Sequence, residues 1–520
     1  MGLVSKFLSV GAATMASRVL GFVREAMIAG LLGAGPVADA FYAAFRFPNL
    51  FRRLFAEGAF NSAFVPLFAS ELETGGRAAA RKFAEEILSS LLLILLVLSG
   101  LAMAFMPFLV GTIIAPGFAD NPEQFDLTAL LGRIMFPYLT AMSLVAMFSG
   151  VLNSFRRYFL AALAPVLLNV VLIAVLSASL LTSFSETALG TAMAWGVSLS
   201  GVLQVLLLIC GIHREGFPVS LKKPRFSAPV RRLLVLAVPT AIAAGIAQIN
   251  LLVGQIIASA QEGAISILNY ADRLMQLPLG IIAVSIGVVL LPELTRALAG
   301  DDAAEARKLQ DRSIEFGLGL MVPAAIGLYL IPEALISLIY ERGAFSRETT
   351  LVTAEVLSIF ALGLPAVVLT KIFQPSYYSR KDTRTPMWFA GVNALTNIVL
   401  AIALFPRLGI AGLAWAFSVA SWINALLLGG TLYLKNHYRP GPDALRNAAL
   451  ILLASLCMGG VIVVLRNYLG ASLLDAPLLQ RIGFVLCIIA ASAVVYFAIV
   501  IATGAVPRGP LMPMLRRRRG

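Results

Sequence analysis

Apolar residues run along nearly the whole chain in long blocks, separated by short polar segments. A membrane-spanning helix needs about 20 mostly apolar residues. On that ruler the chain divides into fourteen spans, at 4–33, 37–68, 83–112, 127–154, 158–182, 187–211, 229–259, 264–298, 309–340, 350–374, 385–405, 409–434, 444–465 and 479–503. Nowhere does the pattern alternate as the strands of a membrane barrel would. It predicts an all-α polytopic membrane protein with fourteen transmembrane helices. The first, second, seventh and eighth spans are polar for lipid and should score poorly in a hydropathy window.

The pattern also repeats. Tyr42-Ala43-Ala44 ahead of Arg46 resembles Tyr270-Ala271-Asp272 ahead of Arg273, and Phe64-Val65-Pro66 resembles Leu290-Leu291-Pro292. Leu167–Leu172 resembles Leu395–Leu400, and Ala194–Ser198 echoes Ala414–Ser418. The offset stays near 220–228 residues, which is six spans. Both halves then begin on the same side of the membrane, a parallel repeat of two pseudo-symmetric six-helix lobes facing each other across a cavity. The expected domains are an N-lobe at 1–227, a C-lobe at 228–440, two added C-terminal helices at 441–505 and a basic tail at 506–520.

Composition supports this division. The 520 residues are 59% hydrophobic and 13% charged, and the mean hydropathy is +0.89. The net charge of +13 would suggest nucleic acid in a soluble protein. Here the excess collects in the segments after even-numbered spans, at Arg77, Arg81, Lys82, Arg156, Arg157, Arg214, Lys222, Lys223, Arg225, Arg307, Lys308, Arg380, Lys381, Arg384, Lys435 and Arg439. Arg508 and Arg516–Arg519 follow in the tail. The positive-inside rule places those segments and both termini in the cytoplasm, with no nucleic-acid partner. Lys6 ahead of an apolar run resembles a signal peptide, but the run continues through Arg18 and Arg24, so it reads as a retained first helix.

Charge inside the spans is the strongest functional signal. The first two spans carry Arg18, Arg24, Arg46, Arg52 and Arg53, with Glu25, Asp39 and Glu57 among them. An arginine at mid-bilayer costs at least about 2.5–3.5 kcal/mol, so such residues face a shielded, wet interior. At the repeat offset, Arg18 and Arg24 stand opposite Ile246 and Leu252, so the second half contributes mainly Arg273. At a rise of about 1.5 Å per residue, Arg18 and Arg52 lie near mid-depth, with Arg24, Arg46 and Arg273 nearer the outer face. Arg18 and Glu25 share a helix face, Arg24 points elsewhere, and Arg53 and Glu57 can pair at i,i+4. Pro48 and Gly58 predict a bent or partly unwound second span. The six arginines outnumber Glu25, Asp39, Glu57 and Asp272, leaving cation to meet a ligand. The planar guanidinium fork matches phosphate oxygens, so a diphosphate is the expected guest.

Little else suggests chemistry. Cys210, Cys457 and Cys487 lie in apolar runs without paired spacing and read as packed residues. His213 and His437 fall at helix ends, far apart, so no metal site is expected. Asp301-Asp302 is the one adjacent carboxylate pair and reads as a solvated turn, and no phosphate-binding loop for nucleotide is present.

Ser17-Arg18-Val19-Leu20-Gly21-Phe22-Val23-Arg24-Glu25, Ala38-Asp39-Ala40-Phe41, Pro48–Arg53 and Phe55–Phe60 resemble the MurJ (MviN) lipid II flippases, of the multidrug/oligosaccharidyl-lipid/polysaccharide exporter superfamily. Ala115–Asp120, Tyr270–Leu274 and Tyr378–Asp382 extend the resemblance, which runs through all the spans. It implies flipping of undecaprenyl-diphosphate-linked disaccharide pentapeptide across the bacterial inner membrane by alternating access, as a transporter and not an enzyme. It implies a cavity lined by Arg18, Arg24, Arg52 and Arg273, with Asp39 also needed, and a lipid-tail groove in the last two spans. Arg46, Arg53 and Glu57 complete the expected substrate-binding set. The expected partners are lipid II, membrane lipids and peptidoglycan-synthesis enzymes. No cofactor is expected, apart from a coupling cation of unknown identity. Some relatives bind sodium through an acid on the seventh span; here 230–260 lacks Asp and Glu, though Asn393 and Asn397 remain on the eleventh. Alternative readings are export of another lipid-linked oligosaccharide or a drug, a lipid-linked-sugar transferase, and a non-transporting scaffold.

Overall fold

The computed structural model describes residues 3–52, 60–182, 184–285, 290–299, 302–470 and 476–505. Among them the secondary structure is helical throughout, as the block pattern predicts. Among the described residues, ten helices are long and apolar enough to cross a membrane. They correspond to the third to sixth and ninth to fourteenth spans. The four spans not found among the described residues are the four read as polar, and they include the arginine-bearing ones.

The chain forms two compact units, one of 1–266 with 343–345, the other of 267–342 with 346–520. The first contains α1 (Leu3–Leu32), α2 (Pro36–Arg52), α3 (Phe60–Ala104), α4 (Met106–Leu109), α5 (Pro122–Met135), α6 (Pro137–Ser154), α7 (Tyr158–Leu181), α8 (Glu186–Arg214), α9 (Ala228–Ala258) and the first turn of α10 (Ala264–Ser285). Its core joins α3, α6 and α8 through Phe64, Phe68, Phe83, Phe148 and Leu208. The rings of Phe60, Phe64 and Phe68 stack in succession along α3.

Two boundaries differ from expectation. Arg77, Arg81 and Lys82 are helical and do not lie in a loop, but the helical backbone breaks just before them, at Gly76, where φ is 70° and ψ −171°, so α3 is two helices meeting at a kink. The expected separation of the second and third spans is kept by this break, and the cations fall in the opening turns of the helix that follows it. The ninth span also breaks, at Ile331, separating α12 (Ala303–Leu330) from α13 (Pro332–Tyr340), with Pro332 able to start a helix but not to continue one.

Between α8 and α9 the backbone is extended and bound along α3. Glu85 accepts from the Ser220 amide and hydroxyl at 3.1 and 2.6 Å. Ser89 Oγ accepts from the Lys222 amide, Ser90 donates to the Arg225 carbonyl, and Ser227 donates to Glu86. The exposed lysines of this segment thus ride on a backbone held by the serines and acids of α3.

The second unit holds most of α10, then α11 (Leu291–Ala299), α12, α13, α14 (Arg347–Tyr378), α15 (Arg384–Leu408), α16 (Ile410–Leu434), α17 (Pro442–Leu469) and α18 (Leu478–Thr503). Met458, Ile462, Val485, Ile488 and Tyr496 pack α17 and α18 with Ile331 and Ala334. Asp302 caps α12 by accepting from the Glu305 amide, and Asp301 and the basic tail lie outside the described residues.

The internal repeat reappears as matching bonds. Ser198 of α8 donates to the Ile134 carbonyl, and Ser418 of α16 donates to the Ile359 carbonyl. α6 ends with Arg156 at φ 60° and bonds from Arg156 and Arg157 to Asn153 and Leu152; α14 ends with Lys381 at φ 61° and bonds from Lys381 and Asp382 to Tyr378 and Tyr377. α8 and α16 close the same way, at Gly216 and Asn436. Each is the paired-bond helix ending that turns the chain through a left-handed residue.

All three cysteines are free and exposed, which corrects the expectation that they are packed. In a membrane protein the outer surface is as apolar as the interior, so an apolar run does not distinguish the two.

Candidate functional site

The charged residues of α1 and α2 sort into two kinds. Arg24 is buried, only 7% exposed, and Glu25 1%. Arg24 Nη2 pairs with Glu25 Oε1, and Nη1 donates to Asn169 Oδ1 of α7 at 2.9 Å. Tyr42 of α2 donates its hydroxyl to Glu25 Oε2 at 2.6 Å. Asn169 Nδ2 in turn donates to the Ser17 carbonyl at 2.9 Å. Four groups from three helices thus form one hydrogen-bonded network. A buried pair of this kind persists only when further hydrogen bonds occupy its remaining polar atoms, and here only Arg24 Nε stays buried without a partner.

Arg18 lies six residues before Arg24, about 9 Å along the axis and roughly 120° around it. It is exposed, and among the described residues it makes no ion pair or hydrogen bond. Glu25 shares its helix face but pairs with the adjacent Arg24 instead. The long guanidinium stem reaches around the helix, which face-based spacing does not anticipate.

Asp39 is fully buried near the start of α2. Its carboxylate accepts from the Gly263 amide at 2.7 Å and from the Ser266 amide and hydroxyl at 2.8 and 2.6 Å. Those donors belong to the opening turn of α10, so Asp39 is a helix cap supplied from another helix. Gln255 of α9 is buried close by in sequence and donates to the carbonyls of Ile114 and Ala43.

Arg46 on α2 is half-buried, as are Asp272 and Arg273 on α10; each has a contact of its own. Asp272 also accepts from Gln276 one turn on. Arg52 is the last residue of α2, and its side chain, with Arg53 and Glu57, lies outside the described residues. Among the described residues no cluster of His, Cys, Asp or Glu could hold a metal ion.

Sequence reasoning missed Asn169, Ser266 and Gln255 as partners of the charged set. Asn169 did carry a signal: an amide inside an apolar run, repeated at Asn397 in the second half. Ser266 and Gln255 lie in the polar seventh and eighth spans, where nothing separates them from their neighbours.

A family model described as lipid II flippase MurJ matches residues 28–479. The probable lipid II flippase MurJ of Rhizobium meliloti (strain 1021) is 48% identical over 99% of this chain and 96% of its own. The lipid II flippase MurJ of Burkholderia cenocepacia is 34% identical over 97% of this chain and 98% of its own. Among solved structures, a lipid II flippase MurJ in an inward closed conformation aligns over 96% of this chain and 99% of that one, with a TM-score of 0.78 and 26% identity. An inward-facing multidrug resistance MATE transporter of the MOP superfamily aligns over 83% of this chain and 98% of its own, with a TM-score of 0.65 and 13% identity, a likeness of fold. With a family match that spans most of its length and near-complete coverage of both relatives, the chain belongs to the lipid II flippase MurJ family.

Proposed function

We propose that the protein is a transporter, not an enzyme, that moves lipid II from the inner to the outer leaflet of the bacterial cytoplasmic membrane. It works by alternating access, with the diphosphate held by arginines and both termini in the cytoplasm. Family membership supports the substrate, and the cation bias of alternate segments supports the orientation.

Arg18 is the observation that carries the arginine role. It lies midway along a 30-residue helix, exposed and without a protein counter-charge among the described residues. A guanidinium at that depth needs an anion, and phosphate oxygens fit its fork. Arg24 differs: Glu25 and Asn169 already hold it, so the pair is close to neutral and its proposed role is to position α1 against α7 beside the site. Arg52 and Arg273 complete the proposed set, with Arg46, Arg53, Asp39 and Glu57 supporting it. Binding energy moves the equilibrium only if the anion binds the two access states differently. Membrane potential acting on the arginines can bias that equilibrium, at about 2.3 kcal/mol per charge per 100 mV.

The test is complementation of a bacterium depleted of its lipid II flippase, with wild type and Arg18→Ala, Arg24→Ala, Arg52→Ala and Arg273→Ala at matched membrane levels. Rescue by wild type and failure of the variants is expected. Failure of well-expressed wild type would move the substrate to another lipid-linked glycan, and rescue by every variant would remove the arginines from the mechanism.

A further inference from the structure

The second unit contains an open cavity of about 820 Å³ apart from the arginine set. Its walls are the C-terminal end of α12, the start of α13, the N-terminal half of α14 and the C-terminal end of α17. Because α12 and α17 are both spanning helices, their ends place the cavity at one face of the membrane, at head-group level. Leu330, Ile331, Ala334, Leu351 and Ala354 make part of the lining apolar.

The polar part carries Glu333, Glu355 and Arg466. Arg347 bridges Glu333 and Glu341, one cation to two acids, so both carboxylates are partnered while a net negative charge remains. Glu355 is different: its carboxylate has no hydrogen bond or ion pair among the described residues. It lies eight residues into α14, about 12 Å from the helix start. An ionisable group within a spanning helix requires a partner. Arg466, three residues before the end of α17, also lines the cavity, with Nη1 anchored on the Leu330 carbonyl at 2.9 Å. Asn467 beside it makes no side-chain hydrogen bond among the described residues.

We propose that this cavity binds the head group of a zwitterionic phospholipid, its ammonium on Glu355 and its phosphate on Arg466 and Asn467. One unpartnered anion and one cation on a half-apolar wall match a dipolar head group on an apolar body. An anionic lipid would meet Glu355 as a like charge. The volume lies within the range of about 300–1,000 Å³ typical of ligand pockets. The proposal is independent of the transported substrate.

The test uses the full chain in bilayers of equal phosphatidylethanolamine and phosphatidylglycerol, each in turn carrying a photoactivatable probe. Crosslinks to the peptides containing 351–358 and 466–470 are counted by mass spectrometry. Wild type should capture the ethanolamine lipid in preference, by about threefold or more. Glu355→Gln, nearly the same shape, should abolish the preference, and Glu355→Lys should reverse it. Equal capture of both lipids by wild type, or a preference unchanged in Glu355→Gln, would overturn the proposal. Thermal unfolding of each variant checks that the fold is kept, and because the readout is binding, failure here leaves flippase activity untouched.

Discussion

Arg24 and Asn169 stand 145 residues apart in sequence, and a 2.9 Å hydrogen bond joins them across α1 and α7. The bond sets how a buried cation behaves when its surroundings change. Asn169→Leu removes the acceptor and leaves Nη1 unpaired beside an already unpaired Nε. The expected loss is about 1–3 kcal/mol, read as a lower unfolding temperature of the purified protein. Asn169→Asp should keep the acceptor and restore most of it.

Arg18 and Glu25 should separate function from folding. Glu25→Gln leaves a buried guanidinium short of its counter-charge, at a cost of about 3–5 kcal/mol. Arg18→Ala removes an exposed side chain with no bond among the described residues, so stability should stay within about 0.5 kcal/mol while complementation is lost. Equal destabilisation by the two would refute this sorting.

Asp39 should act through α10. Asp39→Ala removes three acceptor contacts from the first turn of that helix, and the cap alone is worth about 0.5–2 kcal/mol. Hydrogen exchange should rise first at Gly263–Ile267. Ser266→Ala, which deletes only the hydroxyl, should have a smaller effect at the same amides.

Gly343 docks against α1. A side-chain carbon there would sit 2.2 Å from the Gly30 carbonyl oxygen, and its φ is 56°. The adjacent Ala344 amide donates to that same oxygen at 2.9 Å. Gly343→Ala therefore needs both backbone movement and a strained torsion, and limited proteolysis at 341–347 should accelerate relative to wild type.

The turn after α14 should weaken in acid. Hydrogen bonds from the Thr385 amide and hydroxyl, aided by Lys435, hold Asp382 below the usual carboxylate range. Burial, then the charges of Arg380 and Lys435, push His437 below the usual imidazole value. Both folded values are depressed, so both contributions are complete above the unfolded values, about 3.9 and 6.5, and are lost as pH falls through the folded ones. Exchange at 378–387 should quicken below about pH 6.5, and less so in His437→Gln.

Much of this architecture was legible because it rests on period and block length. The ten apolar spans and the two-fold repeat need only composition at the right spacing, and the Ser198 and Ser418 bonds follow the repeat found in sequence. The arginine set was visible because charge within a span is costly. Its wiring was not: Glu25 chose its neighbour over its face-mate, and Asp39 found donors more than 220 residues away. Such pairings depend on which helices touch, which periodicity does not encode. The cysteines failed for a different reason, since lipid and protein core favour the same residues.

The matching helix endings also bear on ancestry. Four turns close with the same paired bonds at two corresponding places in each half, so the backbone plan was copied whole. The amide at Asn169 was copied too, as Asn397, while Leu252 occupies the position of Arg24. The two halves therefore share the frame and its amide but not the charge, so the matching half can carry the same backbone plan with no cation at that position.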